Sequence, residues 1–141
     1  MFEKDYVDRL REWSAFRSTL ETSAYPIQDA VDFYNTAPLV GISCDPYADK
    51  LWPNAWELVY ENVYCEFSII LGICYTLQLT NRFSESVFEI YICADRAKSE
   101  IKYLLYVDDM VIGYHADCAV DRQQIPVHIT VEKQFTPQKL Q

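Results

Sequence analysis

Only three glycines occur in the 141 residues, and none belongs to a G-x-x-x-x-G-K-[ST], G-x-G-x-x-G or G-x-S-x-G arrangement. Phosphate-cradling loops and the strained nucleophile turn of serine hydrolases depend on such glycines, so neither has a signature here. Basic runs are also lacking. Acidic residues exceed basic ones by 21 to 12, and the excess is present both before and after Tyr60. A field of that sign repels phosphate backbones, which excludes direct binding of nucleic acid and favours a basic protein partner. The five cysteines (Cys44, Cys65, Cys74, Cys93 and Cys118) are odd in number and form no C-x-x-C pair. That usage points to reduced thiols packed as small hydrophobes rather than to a disulfide scaffold.

Long apolar runs are scarce too. The most apolar stretch, Val63 to Leu79, spans 17 residues and contains Glu66 and Gln78. It sits at the short limit for a bilayer span and reads as a core helix. The charged opening Met1-Phe2-Glu3-Lys4-Asp5 does not resemble a secretory signal, so the expected setting is intracellular. What the chain does have is apolar and aromatic content, 50% and 15%, with eleven Tyr and three Trp. This is a composition for burying a core, at a length typical of one domain. The expected unit is therefore a single globular domain over 1–141, with 132–141 as a polar tail.

Periodicity divides the chain into two halves. Tyr6, Leu10, Trp13, Arg17 and Leu20 fall three or four apart, and acids crowd the first half of the segment, so a helix is predicted from about Lys4 to Glu21. Pro26 suits the first turn of a second helix, ended before Pro38. Leu39 to Ser43 reads as a short strand. Helical spacing resumes after Trp52-Pro53-Asn54 and becomes apolar on almost every side from Phe67 to Leu79, as a helix covered all round requires. One unbroken helix from Asn54 to Thr80 would be roughly 40 Å long, too long for this domain, which predicts a bend near Asn62 or Gly72. Beyond Arg82 the period switches to two. Val87–Cys93, Ile101–Val107, Met110–Tyr114 and Val127–Val131 read as strands, with Asp108-Asp109 as a tight connection. Helices first and strands second predict an α+β fold: N-terminal helices and a buried central helix packed on a C-terminal antiparallel β-meander.

Few residues suggest chemistry. Cys65 on a helix, with His115 or His128 on the sheet, follows thiol-hydrolase order. Glu61 and Glu66 beside it, and a mid-helix position, predict a raised thiol pKa and a packing role instead. Asp108, Asp109, His115, Asp117 and Asp121 carry ligand-type side chains, yet their spacing matches no calcium loop or zinc pattern, and they read as turn acids. The sequence thus calls for no catalytic residue, cofactor or metal. The remaining signal is aromatic. Tyr47, Trp52, Trp56, Tyr60 and Tyr64 crowd the start of the central helix, and aromatics dominate both cores and interface hot spots. Tyr47, Trp52, Trp56 and Tyr60 are accordingly the candidate partner-binding residues.

Trp52-Pro53-Asn54-Ala55-Trp56-Glu57-Leu58, then Tyr64-Cys65, then Leu71-Gly72-Ile73-Cys74-Tyr75-Thr76-Leu77-Gln78-Leu79-Thr80 carry a resemblance. The chain resembles a family of uncharacterised small proteins of T4-like marine phages of cyanobacteria, over about Trp13 to Tyr114. That family's pattern often places a second proline where Ala55 stands, a departure confined to the helix start. The resemblance brings no catalytic residues. It implies a phage gene product in the host cytoplasm or the virion. The expectation is a non-enzymatic phage protein acting through protein-protein contacts, most simply a virion structural or assembly component. The alternatives are an acidic host-directed inhibitor of a basic host protein and a thiol-dependent hydrolase using Cys65.

Overall fold

A computed structural model describes residues 1–140 and has the expected α+β class, with four helices beside an antiparallel five-stranded sheet. Helix α1 spans Tyr6–Leu20, and Asp5 caps it by accepting the Asp8 N–H at 2.9 Å. Helix α2, Pro26–Tyr34, starts on its proline as predicted. The predicted strand at Leu39 to Ser43 is reduced to one parallel bridge between Leu39 and Tyr64.

The long central helix is broken at Asn62. Helix α3, Ala55–Glu61, opens with a capping box between Asn54 and Glu57. It closes on Asn62 in the left-handed conformation (φ 53°, ψ 38°), which asparagine tolerates better than most residues. The Asn62 amide then donates to the Phe2 carbonyl at 2.8 Å and fixes the turn to the N-terminal segment. Buried Arg9 supports the same corner, donating to the Val59 carbonyl at 3.0 Å, the Tyr60 carbonyl at 2.9 Å and the Lys4 carbonyl. The last carbonyls of α3, which no helical N–H can reach, are thereby satisfied.

Helix α4, Glu66–Gln78, is buried over nearly its whole length against α2, α3 and the sheet. Gly72 does not break it. A Cβ there would lie 2.6 Å from Cε1 of Tyr34, so the glycine lets α2 approach. One turn on, Thr76 joins three helices: its hydroxyl donates to the Gly72 carbonyl at 2.7 Å and accepts from Trp13 Nε1 at 2.9 Å. Since its one proton is used, Tyr34 Oη must be the donor in the 3.0 Å contact with Thr76 Oγ1.

The sheet has the order β4-β3-β2-β1-β5. Strands β1 (Phe88–Asp95), β2 (Glu100–Val107), β3 (Met110–Ile112) and β4 (Val120–Asp121) form the meander. Strand β5, Ile129–Phe135, returns to the far side of β1, with a bulge where Ile92 meets Lys133 and Cys93 meets Val131. It overlaps the predicted 127–131 run and extends beyond it, so residues 132–135 of the expected polar tail are strand. Polar side chains suit it because it is an exposed edge. Phe88, Ile90, Leu105 and Val107 face the helices. Cys93, Leu104, Val111 and Val120 form a second small core on the opposite face, roofed in part by Tyr114 and Ile125. Burial on both faces explains why Tyr103 to Val107 reads as a continuous apolar run.

Candidate functional site

The segment from Leu39 to Val63 links α2 to α4; its second part is α3, anchored by Arg9 and Asn62, while the stretch before α3 is pinned at few points. The Val40 N–H donates to the Tyr64 carbonyl at 2.7 Å, Trp52 Nε1 to the Pro46 carbonyl at 3.3 Å, and Tyr75 Oη to the Pro53 carbonyl at 2.8 Å. Ala55, Leu58 and Val59 of the segment are buried, but many of its other apolar side chains face solvent. Of fourteen large exposed hydrophobics among the described residues, eight (Leu39, Val40, Ile42, Tyr47, Leu51, Trp56, Tyr60 and Val63) lie in these 25 positions. That density far exceeds the scatter of single apolar residues usual on a surface.

The aromatic candidates separate. Trp56 and Tyr60, one turn apart on α3, are 48% and 64% exposed, and each packs edge-on against α1, Trp56 on Trp13 and Tyr60 on Tyr6. They are rigid yet uncovered. Tyr47 is exposed on the preceding loop. Trp52 differs from the expectation: it is half-buried, with its ring 5.1 Å from Phe67 and 4.9 Å from Phe135, and serves mainly to fasten the segment to α4 and β5. Tyr64 lies wholly in the core, where burial pushes its phenol well above the ordinary range. Asp45, Asp49, Glu57 and Glu61 are exposed in the same segment, against Lys50 as its one basic residue.

Cys65 corrects the sequence reading. It is not mid-helix but the N-cap of α4, with its N–H on Ser68 Oγ at 2.8 Å. The Ser68 proton has two acceptors in reach, the Cys65 carbonyl at 3.3 Å and the Cys65 sulfur. Burial pushes this thiol up, but side-chain and backbone hydrogen bonds from Ser43 and Ser68 outweigh it and bring the thiol down to about 6. Glu61 and Glu66 do not dominate, because the break at Asn62, one of the two bends the sequence predicts, places Cys65 at a helix N-terminus. At Cys44 burial, and then the charges of Cys65 and Asp45, push the thiol up to about 11.

The histidines take other partners. His115 packs on Tyr114, ring centres 4.8 Å apart, and His128 Nε2 lies 3.5 Å from Oδ1 of buried Asp95. Asp108 accepts the Val87 N–H and Asp121 the Gln123 N–H, both at 2.9 Å, as turn and capping acids do. Among the described residues no three His, Cys, Asp or Glu side chains converge as a metal site, and no helix is long and apolar enough to cross a membrane.

A cleft of about 490 Å³ opens between α2, α4 and strands β2 and β3. Its floor is apolar (Val31, Ile69, Ile73), and Glu66, Lys102 and His115 stand on its rim. Lys102 is already engaged by Glu100 at 3.3 Å and the Tyr114 carbonyl at 3.4 Å. Such a cleft can accept an apolar group but presents no nucleophile paired with a base.

No protein-family profile matches the chain, and no curated protein matches it significantly.

Proposed function

We propose that this is a non-enzymatic protein-binding domain of a phage, most simply a virion structural or assembly component, and that the 39–63 segment is its contact surface. The observation that carries the reading is the concentration of eight exposed large hydrophobics in that one segment, with Trp56 and Tyr60 as its rigid anchors. Ordered aromatics lose little conformational freedom on binding and make effective hot spots. The four surrounding acids and the net charge of −9 favour a partner with an apolar centre and a basic rim. The phage setting rests on the resemblance over Trp13 to Tyr114.

Immobilised wild-type protein and a W56S/Y60S variant would be exposed to infected-cell lysate at low and high salt. A partner retained by the wild type, lost with the variant and weakened by salt supports the surface. Identical retention by both proteins refutes it. Mass spectrometry of purified virions then decides the setting: presence of the chain supports the structural component. Its absence at good coverage rejects that role and leaves the host-directed inhibitor, with a basic host protein as the partner.

A further inference from the structure

The cleft between α2, α4 and strands β2 and β3 has a chemistry of its own, and it meets the 39–63 segment only at Leu39. We propose that this cleft binds a small organic cation, an ammonium group joined to an apolar chain or ring. Glu66 and Asp117 receive the ammonium, and Val31, Ile69 and Ile73 receive the apolar part. Its volume, about 490 Å³, falls in the range of roughly 300–1,000 Å³ usual for small-molecule sites.

The walls are held in place without a ligand. Gln28 of α2 reaches across to the loop that follows β3: its Nε2 donates to the Asp117 carbonyl at 2.7 Å, and its Oε1 accepts the Ala119 N–H at 3.1 Å. The same nitrogen donates to Asp32 Oδ1 at 2.9 Å, which fixes the Gln28 side chain against its own helix. At the end of β3, Gly113 adopts φ 104°, and a Cβ there would lie 2.2 Å from the Tyr103 carbonyl oxygen. Glycine lets the chain turn this close to β2 and carry Tyr114 to Asp117 along the cleft. A site ordered before binding loses little freedom when it is filled.

Charge selects the sign of the ligand. The described residues lining the cleft include three carboxylates, Glu66, Glu100 and Asp117, and one lysine, Lys102, with no arginine. Lys102 is already engaged. Its Nζ lies 3.3 Å from Glu100 Oε1, donates to the Tyr114 carbonyl at 3.4 Å, and stands 5.5 Å from the centre of the Tyr114 ring. Glu66 and Asp117 are exposed, and neither carboxylate has a cation or hydrogen-bond donor as partner among the described residues. An anionic ligand would meet two uncompensated charges, whereas an ammonium is attracted by both. Since no three ligand-type side chains converge among the described residues, the site suits an organic cation and not a bare metal ion. Ile69 and Tyr103, both only partly covered, offer apolar surface from which such a ligand displaces water.

The test uses 4-phenylbutylamine, 4-phenylbutanol and 4-phenylbutyrate, which share one apolar body and differ in the charge of the head group. Each is titrated at low salt into the full chain labelled with nitrogen-15, so that amide shifts report both place and affinity. The amine is expected to bind at about 5 mM or tighter, with shifts centred on Ile69, Gly113 and Asp117. It should bind about fivefold more tightly than the alcohol, with the carboxylate weakest, and added salt should erase that preference. E66Q/D117N should bring the amine down to the alcohol's affinity and leave the alcohol unchanged. W56S/Y60S should bind the amine as the wild type does, which separates this site from the 39–63 surface. The proposal is overturned if the amine gives no saturable shifts, if the alcohol or the carboxylate binds as tightly, if the shifts fall on Trp56 and Tyr60, or if the preference for the amine survives salt or the E66Q/D117N change.

Discussion

Thr76→Val removes a single hydroxyl from the centre of the helical layer while keeping the outline of the side chain. In the native chain that oxygen accepts from Trp13 Nε1 and from Tyr34 Oη, and neither residue is more than 2% exposed. Valine can accept from neither, and water has no route to replace it. Each buried donor left without a partner costs about 1–3 kcal/mol, so the variant should lose roughly 2–5 kcal/mol. Against a total stability of about 5–15 kcal/mol for a domain, that is a large fraction. Urea unfolding followed by intrinsic fluorescence measures it directly. Thr76→Ser keeps the oxygen and should recover most of the loss, missing only one buried methyl, worth about 1 kcal/mol. Tyr34→Phe deletes one of the two donors, so T76V/Y34F should cost less than the sum of the single changes, with a coupling of about 1 kcal/mol or more. A T76V variant within about 0.5 kcal/mol of wild type, or strict additivity with Y34F, would refute the shared-hydroxyl argument.

Gly72→Ala should lower Tm by several degrees, because overpacking against the Tyr34 ring costs about 1–3 kcal/mol and outweighs the ~1 kcal/mol gained in helix propensity. Y34F would not relieve it, since the clashing ring carbons remain; a higher Tm for G72A in a thermal melt would contradict the close approach. Arg9→Met should destabilise the fold by about 2–3 kcal/mol in urea, because the carbonyls of Val59 and Tyr60 lose their donor at the end of α3. For Cys65, whose folded pKa is depressed from 9.0 to about 6, the stabilisation is complete above the unfolded value and is lost as pH falls through the folded one. The stability of reduced wild type over C65S should therefore grow from pH 6 to pH 9, and a difference that stays flat or shrinks over that window contradicts the assigned acidity.

Periodicity was enough to locate both halves of the fold, because α1 repeats at helical spacing and the β1–β3 meander pairs in a regular register. It was weaker where tertiary contacts decide. Asn62 ends α3 because its left-handed turn is tied to Phe2, sixty residues earlier, and no local pattern records that bond. The apolar pattern caught only the start of β5, because the rest pairs at an edge where backbone hydrogen bonds to β1 define it more than side chains do. The aromatic candidates were found by composition, but composition could not separate Trp56 and Tyr60 from Trp52, whose ring lies between Phe67 and Phe135. The acidity of Cys65 was misjudged for one reason. Nearby acids are visible in a sequence, whereas a donor such as Ser43, more than twenty residues away, is not.

The three-helix junction at Thr76 also bears on how the domain opens. Because α1, α2 and α4 share one oxygen, no one of them can leave the layer without stranding a buried group on another, so they should open together, in the globally unfolding molecule. The chain between Leu39 and Pro53 belongs to no such junction and hangs on a few backbone and indole contacts. In hydrogen exchange the two should form separate populations, a slow helical block and a fast surface segment. The fast-exchanging segment then carries five of the exposed hydrophobics and lies beside Trp56 and Tyr60, which stay with the helical base.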